Sequence, residues 1–406
     1  MFVKKIALAG IFALMGGTAM ASCAFENTVP LKSLSAGFEA WKSGVAAMAE
    51  CGNFKAELDQ DFATKQPEAF AAKPSLYQIG GVANETLVPL INAGTIRPLD
   101  DLVAKYGQHL KPNQLIRIDG KVMAIAMMVN TQHLMYRKDL LEQLGIAVPA
   151  TYDEVLAAAE KIKAAGVVEY PLGGTFKAGW NLAEEFINMD YGMGGKLIND
   201  DGTPAVNDEA GLKTLEMLKA LSAYMNPEYL TSDSTTVQQQ FQQGKIAMAN
   251  LWASRGGAMD DASESTVVGK IDGAAAPSAV AGGAPATTLW WDGFVIAKNI
   301  SDAEAEAAFR VALEGIDTEM VKAHNDDAVW LIEGYVPGRL AQGAIATATA
   351  TPTPASYPST TAMGLMHSAL GDNLAAYFTG EKTAEQTLAA VETSYTTAAR
   401  EAGVLK

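Results

Sequence analysis

Between residues 29 and 94 the hydrophobic period of the chain switches back and forth. VPLKSLS (29–35) and NFKAELDQ (53–60) read as strands, and PSLYQIGG (74–81) is an apolar strand ending in two glycines. Between them, GFEAWKSGVAAMAE (37–50) is amphipathic with a helical period, and DFATKQPEAFAA (61–72) is helix-like although it carries Pro67. NETLVPLINAG (84–94) is helical and closes on a glycine. Strand, helix, strand, helix, strand predicts a parallel α/β sheet. Ligands of such sheets sit at the carboxyl ends of the strands. That directs attention to residues 35–38 and 78–85. Gly80-Gly81 reads there as a tight strand-to-helix turn flanked by Gln78, Asn84 and Glu85.

The N-terminus fixes the compartment. Lys4 and Lys5 precede an apolar stretch from Ile6 to Met15 and then Ala19-Met20-Ala21. A basic start, a short apolar stretch and small residues at the exit make a secretory leader, here cut after Ala21. The apolar stretch is too short to span a bilayer core of about 30 Å. Two cysteines follow, Cys23 and Cys51. An oxidising compartment favours their pairing. The alternative is a lipid anchor on Cys23, since Met20-Ala21-Ser22-Cys23 loosely resembles a lipoprotein cleavage box with Met in place of Leu.

A formal net charge of −16 argues against nucleic acid and against anionic membrane surfaces as partners. The four histidines, His109, His133, His324 and His367, are scattered. No H-x-x-H, C-x-x-C, Walker A, G-x-S-x-G or G-x-G-x-x-G pattern occurs, so short signals for metals, nucleotides and hydrolase nucleophiles are missing. No cofactor is expected.

The stretch from 120 to 166 is the most informative. VMAIAMMVN reads as a long strand, LMYRKDLLEQLGI as a helix ending at Gly145, and Thr151 with Glu154 as a capping box before a helix with Val155, Leu156, Ala159 and Ile162 on one face. Leu134 to Tyr136, Lys138-Asp139-Leu140-Leu141, Gly145-Ile146, Pro149 and Thr151-Tyr152-Asp153-Glu154 resemble the signature of the bacterial extracellular solute-binding proteins that serve carbohydrate ABC importers, a family that is maltose-binding-protein-like. Arg137 stands where the family carries Asn. INAGTIRPLDDL (91–102), FQQGKIAMANLWASRGG (241–257), WWDGFVIAKNISDAEAEAAF (290–309) and YVPGRL (335–340) resemble further family stretches, in the family order.

The resemblance implies an α/β, two-lobed periplasmic-binding-protein fold (type II-like), hinged, with the ligand cleft between the lobes. Crossings are expected near Met127–Thr131, Trp252–Arg255 and Trp330–Val336. The lobes are then 22–128 plus 254–330 and 129–253 plus 331–406, after the 1–21 leader. The low-complexity segment 346–358 reads as an irregular connector. Helices at 362–378 and 384–402 are expected to pack back on the second lobe, the last one with a Thr383/Gln386 capping box. The implied function is non-enzymatic: a monomeric periplasmic carbohydrate-binding component, for a mono- or disaccharide or a polyol, that docks on membrane permease subunits of an ABC importer.

Two glycines of the family pattern are replaced by Trp290-Trp291. Adjacent strand residues point to opposite faces, so one indole enters the lobe and the other faces the cleft, and sequence does not say which. Sugars offer C–H faces to aromatic rings and hydroxyls to fixed donors and acceptors. Trp252 and Trp180 are further platforms. Asp292, Asn130, Gln132, Gln78, Asn84, Glu85 and Arg339 are candidate polar contacts, each with an ordinary structural role as its alternative. Glu184 and Glu185 read as solvent-exposed helix residues. Two bulky indoles narrow the cleft against long maltodextrins. An acidic sugar derivative or sugar or glycerol phosphate, met by Arg255 or Arg339, is a second reading, and a secreted glycoside hydrolase, needing paired carboxylates, is a third.

Overall fold

The computed structural model describes residues 23–406. The expected leader at 1–21 lies outside them. The first sheet runs β2 (Phe54–Leu58), β1 (Leu31–Ser35), β3 (Ile79–Ala83), β10 (Trp290–Ile296), β5 (Lys121–Asn130), β11 (Val329–Trp330), with β4 (Leu115–Ile118) also on β5. The strands β1, β2 and β3 are parallel to one another, and β10 is antiparallel to both β3 and β5. The second sheet runs β7 (Tyr170–Gly173), β8 (Ile246–Trp252), β6 (Gln132–Arg137), β9 (Ile271–Ala274).

Local period explains most of these elements. Helix Glu39–Glu50 buries Trp41, Val45 and Met48 on one stripe against Phe294 and Phe309, and helix Phe62–Ala71 covers the other face with Phe70 against Val82 and Val295. The expected Thr151/Glu154 and Thr383/Gln386 capping boxes both form. Helix Thr361–Asn373 lies on helix Trp180–Gly192, and helix Ala384–Glu401 on helices Thr361–Asn373 and Glu209–Ser222, so the C-terminal helices complete the second core.

Three expectations need correction. Gly80 and Gly81 are not a turn but lie inside β3. A Cβ on Gly80 meets the Phe70 ring at 2.7 Å, and one on Gly81 meets Ser35 Cβ at 2.4 Å and Trp41 at 2.8 Å. The glycines therefore let helices close onto both faces of the strand. Residues Leu134 to Arg137 are not helical, because β6 pairs with β8 and β9, and helix begins only at Lys138. Residues 254–330 do not all belong with the first sheet, since β9 hydrogen-bonds to β6 in the second. The middle passage between sheets therefore lies in 275–289 and not at Trp252–Arg255.

The passages are tied to each other. Thr131, between β5 and β6, is fully buried; its Oγ1 donates to Thr288 O at 2.9 Å, and its carbonyl accepts from Ala253 N at 3.0 Å. The last passage starts where Leu331 N donates to Met127 O at 2.9 Å. The 346–358 connector is only partly irregular: helix Gln342–Ala348 reaches into it, and Tyr357 N donates to Leu289 O at 3.1 Å. No helix among the described residues is long and apolar enough to cross a membrane.

Cys23 and Cys51 are joined, which ties the described N-terminus to the end of helix Glu39–Glu50. The two cysteines are 28 residues apart. Removing the bond with C23S/C51S is expected to lower stability by about 3–4 kcal/mol in the chain-entropy picture, read from urea midpoints against the oxidised parent. Gly81→Ala is expected to lower stability by about 1–3 kcal/mol through overpacking against Trp41. A neutral Gly81→Ala effect in the same measurement shows that helix Glu39–Glu50 yields.

Candidate functional site

Aromatic side chains from separate elements converge where the sheets meet. Trp180 opens helix Trp180–Gly192, Trp252 closes β8, and Trp290 opens β10. Tyr357 comes from the connector and His367 from helix Thr361–Asn373. Ring centroids of Trp180 and Trp252 are 6.4 Å apart, Trp180 and Trp290 5.7 Å, Trp252 and Trp290 5.8 Å, and Trp290 and Tyr357 4.1 Å. His367 stacks on Trp180 at 4.8 Å, with Nε2 at 3.0 Å from Trp180 O and Nδ1 at 2.9 Å from the Tyr357 hydroxyl. Burial holds its imidazole below the usual value. Trp180 is 40 % exposed, whereas Trp252, Trp290 and Tyr357 are buried, so the box is open on the Trp180 side.

Glu85 of the first lobe and Glu184 of the second bond to this box; Asp292 lies beside it, and Glu185 lines a hollow inside the second core with Tyr152 and Phe176. Glu85, in the turn after β3, accepts from Trp180 Nε1 at 2.7 Å, linking the lobes. Glu184 Oε1 accepts from Trp290 Nε1 at 3.0 Å and from Thr288 Oγ1 at 2.8 Å, while its Oε2 has no partner. Glu185 accepts from Gln132 Nε2 at 2.9 Å and from Thr175. Asp292 accepts from Asn130 Nδ2 at 3.3 Å. None of these four acids forms an ion pair among the described residues. Burial without a cation favours the neutral acid. It pushes Glu184 up to about 8, and Glu185 and Asp292 up to about 7.

The expected site residues divide into groups. Trp180, Trp252, Trp290, Asn84 and Glu85 come together, with Asn130 and Asp292 beside them: Asn130 is the register partner of Trp290, and its Oδ1 accepts from Ser254 N at 3.4 Å. Asn84 spends both ends of its amide, on Trp291 N at 2.9 Å and Tyr357 O at 3.2 Å. Trp291, on the opposite face from Trp290, packs on the first-lobe cluster around Phe70 and Val82.

Gln78 and Arg339 lie elsewhere. Gln78 precedes β3, roughly 17 Å from its carboxyl end at about 3.3 Å per residue, and accepts from Lys32 N at 2.8 Å. It lines a separate hollow of about 780 Å³ at the amino ends of the strands. Arg339 is bound by Asp260, with Asp272 at 3.7 Å, at a hinge-side hollow of about 240 Å³.

Tyr357, His367 and Thr288 escaped the sequence reading, and Glu184 and Glu185 were assigned the wrong environment. The last two are buried, not exposed. One signal was available: WNLAEEFINMDYG holds three acids and no Lys or Arg, which suits an interior helix better than a solvated one. Tyr357 and His367 left no local signal.

The same architecture recurs in known proteins. The family model described as "Bacterial extracellular solute-binding protein" matches residues 47–314. The chain belongs to this family. It is 27% identical over 288 residues to a probable ABC transporter-binding protein of Deinococcus radiodurans, covering 64% of this chain and 65% of that one. A putative binding protein of Brucella abortus is 28% identical over 183 residues, covering 41% and 42%. The match thus spans less than half the length of that curated relative. Among solved structures, an ABC transporter solute-binding protein from Agrobacterium radiobacter K84 in complex with ribitol superposes with a TM-score of 0.80 at 21% identity, covering 91% of this chain and 99% of that one. One from Agrobacterium vitis S4 with bound D-mannitol gives 0.77 at 20%, covering 92% and 99%. These likenesses establish the fold of this solute-binding protein.

The raised acids set its pH dependence. Their native values lie above the ordinary 4.5 of Glu and 3.8 of Asp. The native state therefore holds protons that the unfolded chain releases, and stability falls as pH rises from about 4 to about 8. Each such group contributes at most about 1.4 kcal/mol per pH unit within its window. Denaturant melts are expected to show this fall, and Glu184→Gln, which does not ionise, to flatten it between pH 5 and 8. An unchanged slope in Glu184→Gln assigns the fall to other groups.

Proposed function

We propose that this protein is the periplasmic substrate-binding component of an ABC importer for a carbohydrate, a mono- or disaccharide or a polyol, delivering it as a monomer to permease subunits in the inner membrane. The carrying observation is the aromatic box at the lobe junction, bordered by hydrogen-bonding carboxyl groups from both lobes. Ring faces suit the C–H faces of a sugar or polyol, and carboxyl oxygens suit its hydroxyls. Membership of the solute-binding family supports binding over hydrolysis. The ribitol and mannitol complexes of the similar folds support a small hydroxylated solute.

The box also supports the size limit. Trp180, Trp252, Trp290 and Tyr357 fill much of the junction, leaving little length for a maltodextrin. An acidic solute loses its best counter-ion, because Arg339 is held by Asp260 and Asp272.

Binding works by hinge closure. Asn84 and Glu85 belong to the first sheet's turn, whereas Trp180, Trp252, Tyr357 and His367 move with the second core. The Glu85–Trp180 and Asn84–Tyr357 hydrogen bonds, and Asn92 Nδ2 to Thr361 Oγ1 at 2.7 Å, exist only while the lobes are together. A solute touching both sides binds the closed form better and shifts the population toward it. Export through the leader, cut after Ala21, places the protein outside the cytoplasmic membrane.

The test is titration calorimetry with tryptophan emission against ribitol, mannitol, monosaccharides, disaccharides and maltodextrins. A small polyol or sugar is expected to bind with micromolar affinity, about −8 kcal/mol, and to shift the emission. Trp180→Ala and Trp252→Ala are each expected to weaken it tenfold or more. Absence of binding by every small carbohydrate at millimolar concentration sinks the proposal.

A further inference from the structure

The polar atoms at the box are unevenly divided between donors and acceptors. Trp180 Nε1 is already given to Glu85, and Trp290 Nε1 to Glu184 and Thr288. What the acids leave to offer is carboxyl oxygen, beside one unpartnered donor, Asn188 Nδ2 next to Thr288. Glu184 Oε2 has no partner in a residue that is 1 % exposed. Glu85 uses only one of its two oxygens, on Trp180. A solute that fits such a surface must bring donors.

The surface also lacks positive charge. The hydrogen bonds to Glu85, Glu184, Glu185 and Asp292 come from indole, hydroxyl and amide groups. The cations nearest in sequence to the box residues are committed elsewhere: Lys177 pairs with Asp233 at 3.5 Å, and Arg255 donates to Ser234 at 2.9 Å and Gln238 at 3.3 Å. Three indoles and a phenol stand beside the acids, and aromatic faces attract a cation within about 6 Å of the ring centre. An ammonium group is all donor and no acceptor. It pairs with the unused oxygen of Glu85, takes up Glu184 Oε2 as that buried acid releases its proton to solvent, and meets ring faces in one step.

We propose that the solute carries a protonated amine beside its hydroxyls: an amino sugar, an amino polyol or a basic sugar analogue. This rests on the carbohydrate reading above and narrows it. The amine sits between Glu85 of the first lobe and Glu184 of the second, against Trp180, so the charge itself bridges the closing lobes. The hydroxyls reach toward Asn130 and Asp292.

The test uses matched pairs on the mature, disulfide-bonded protein at pH 7: D-glucitol with 1-amino-1-deoxy-D-glucitol, D-glucose with D-glucosamine, and N-acetylglucosamine as the uncharged control. Titration calorimetry is expected to give the amine of a pair at least tenfold tighter binding than its parent. Glu85→Gln, at a half-buried position, and Glu184→Gln are each expected to shrink that ratio severalfold, with folding checked by circular dichroism. Equal affinity within the pairs, or tighter binding of the parent, overturns the amine while leaving the carbohydrate reading in place. A ratio that survives in both variants overturns the assigned partners. Tight binding of putrescine or choline with no binding of any sugar upholds the charge but ends the carbohydrate reading. No binding by either class overturns both.

Discussion

Trp290 is the residue on which the two halves of the molecule depend. Its backbone is the first rung of β10 in the first sheet, paired with Asn130 of β5. Its indole belongs to the second core, between Trp252 and Tyr357, with Nε1 on Glu184. One side chain thus fastens the start of a strand in one lobe to a helix of the other. Thr288, two residues earlier, extends the fastening through Oγ1 to Glu184 and through its carbonyl to Thr131. The junction is therefore a hydrogen-bonded knot of two passages, and the proposed site is its inner surface.

This placement sends the tandem tryptophans to different cores. The pleat sends Trp291 to the face where Phe70 and Val82 wait and Trp290 to the other. An indole of Trp290's size at the hinge excludes water from Glu184, and the desolvation that follows favours the protonated acid. Burial by this packing is thus the largest cause that raises Glu184, while the Trp290 N–H, by donating to its carboxylate, works the other way.

Much of the frame was legible because it is written locally. The period of residues 29–72 specified two strands and two helices, and the Thr151/Glu154 and Thr383/Gln386 pairs specified helix starts. What failed was set by distant partners. Gly80 and Gly81 resemble turn glycines until Trp41 and Phe70 are placed over them. Leu134 to Arg137 run into a helix-forming stretch, and only pairing with β8 and β9, more than a hundred residues later, makes them a strand. Glu184 and Glu185 read as the polar side of an amphipathic helix until Thr288 and Trp290, and Gln132 and Thr175, are placed against them. Of the aromatic box, Trp252 and the Trp290-Trp291 pair were singled out by their position in the family pattern, though not which of the pair would join it. Tyr357 and His367 were not, because nothing nearby in sequence marks them.

The same geometry sets what a solute must do. Burial raises Glu184 most, and the nearby carboxylates of Glu185 and then Glu85 raise it further. The indole N–H groups offset part of this by donating to Glu85 and Glu184. Glu184 Oε2 still lacks a partner, and an unmade hydrogen bond on a buried polar group costs about 1–3 kcal/mol. The closed state without solute therefore retains unmade hydrogen bonds there. A solute that supplies them gains that energy only when both lobes are in place, and an interaction confined to one of two states is what moves the equilibrium between them. On the proposed function, solute selectivity and hinge closure are the same physical event, read at Glu184 in one case and at the Glu85–Trp180 contact in the other.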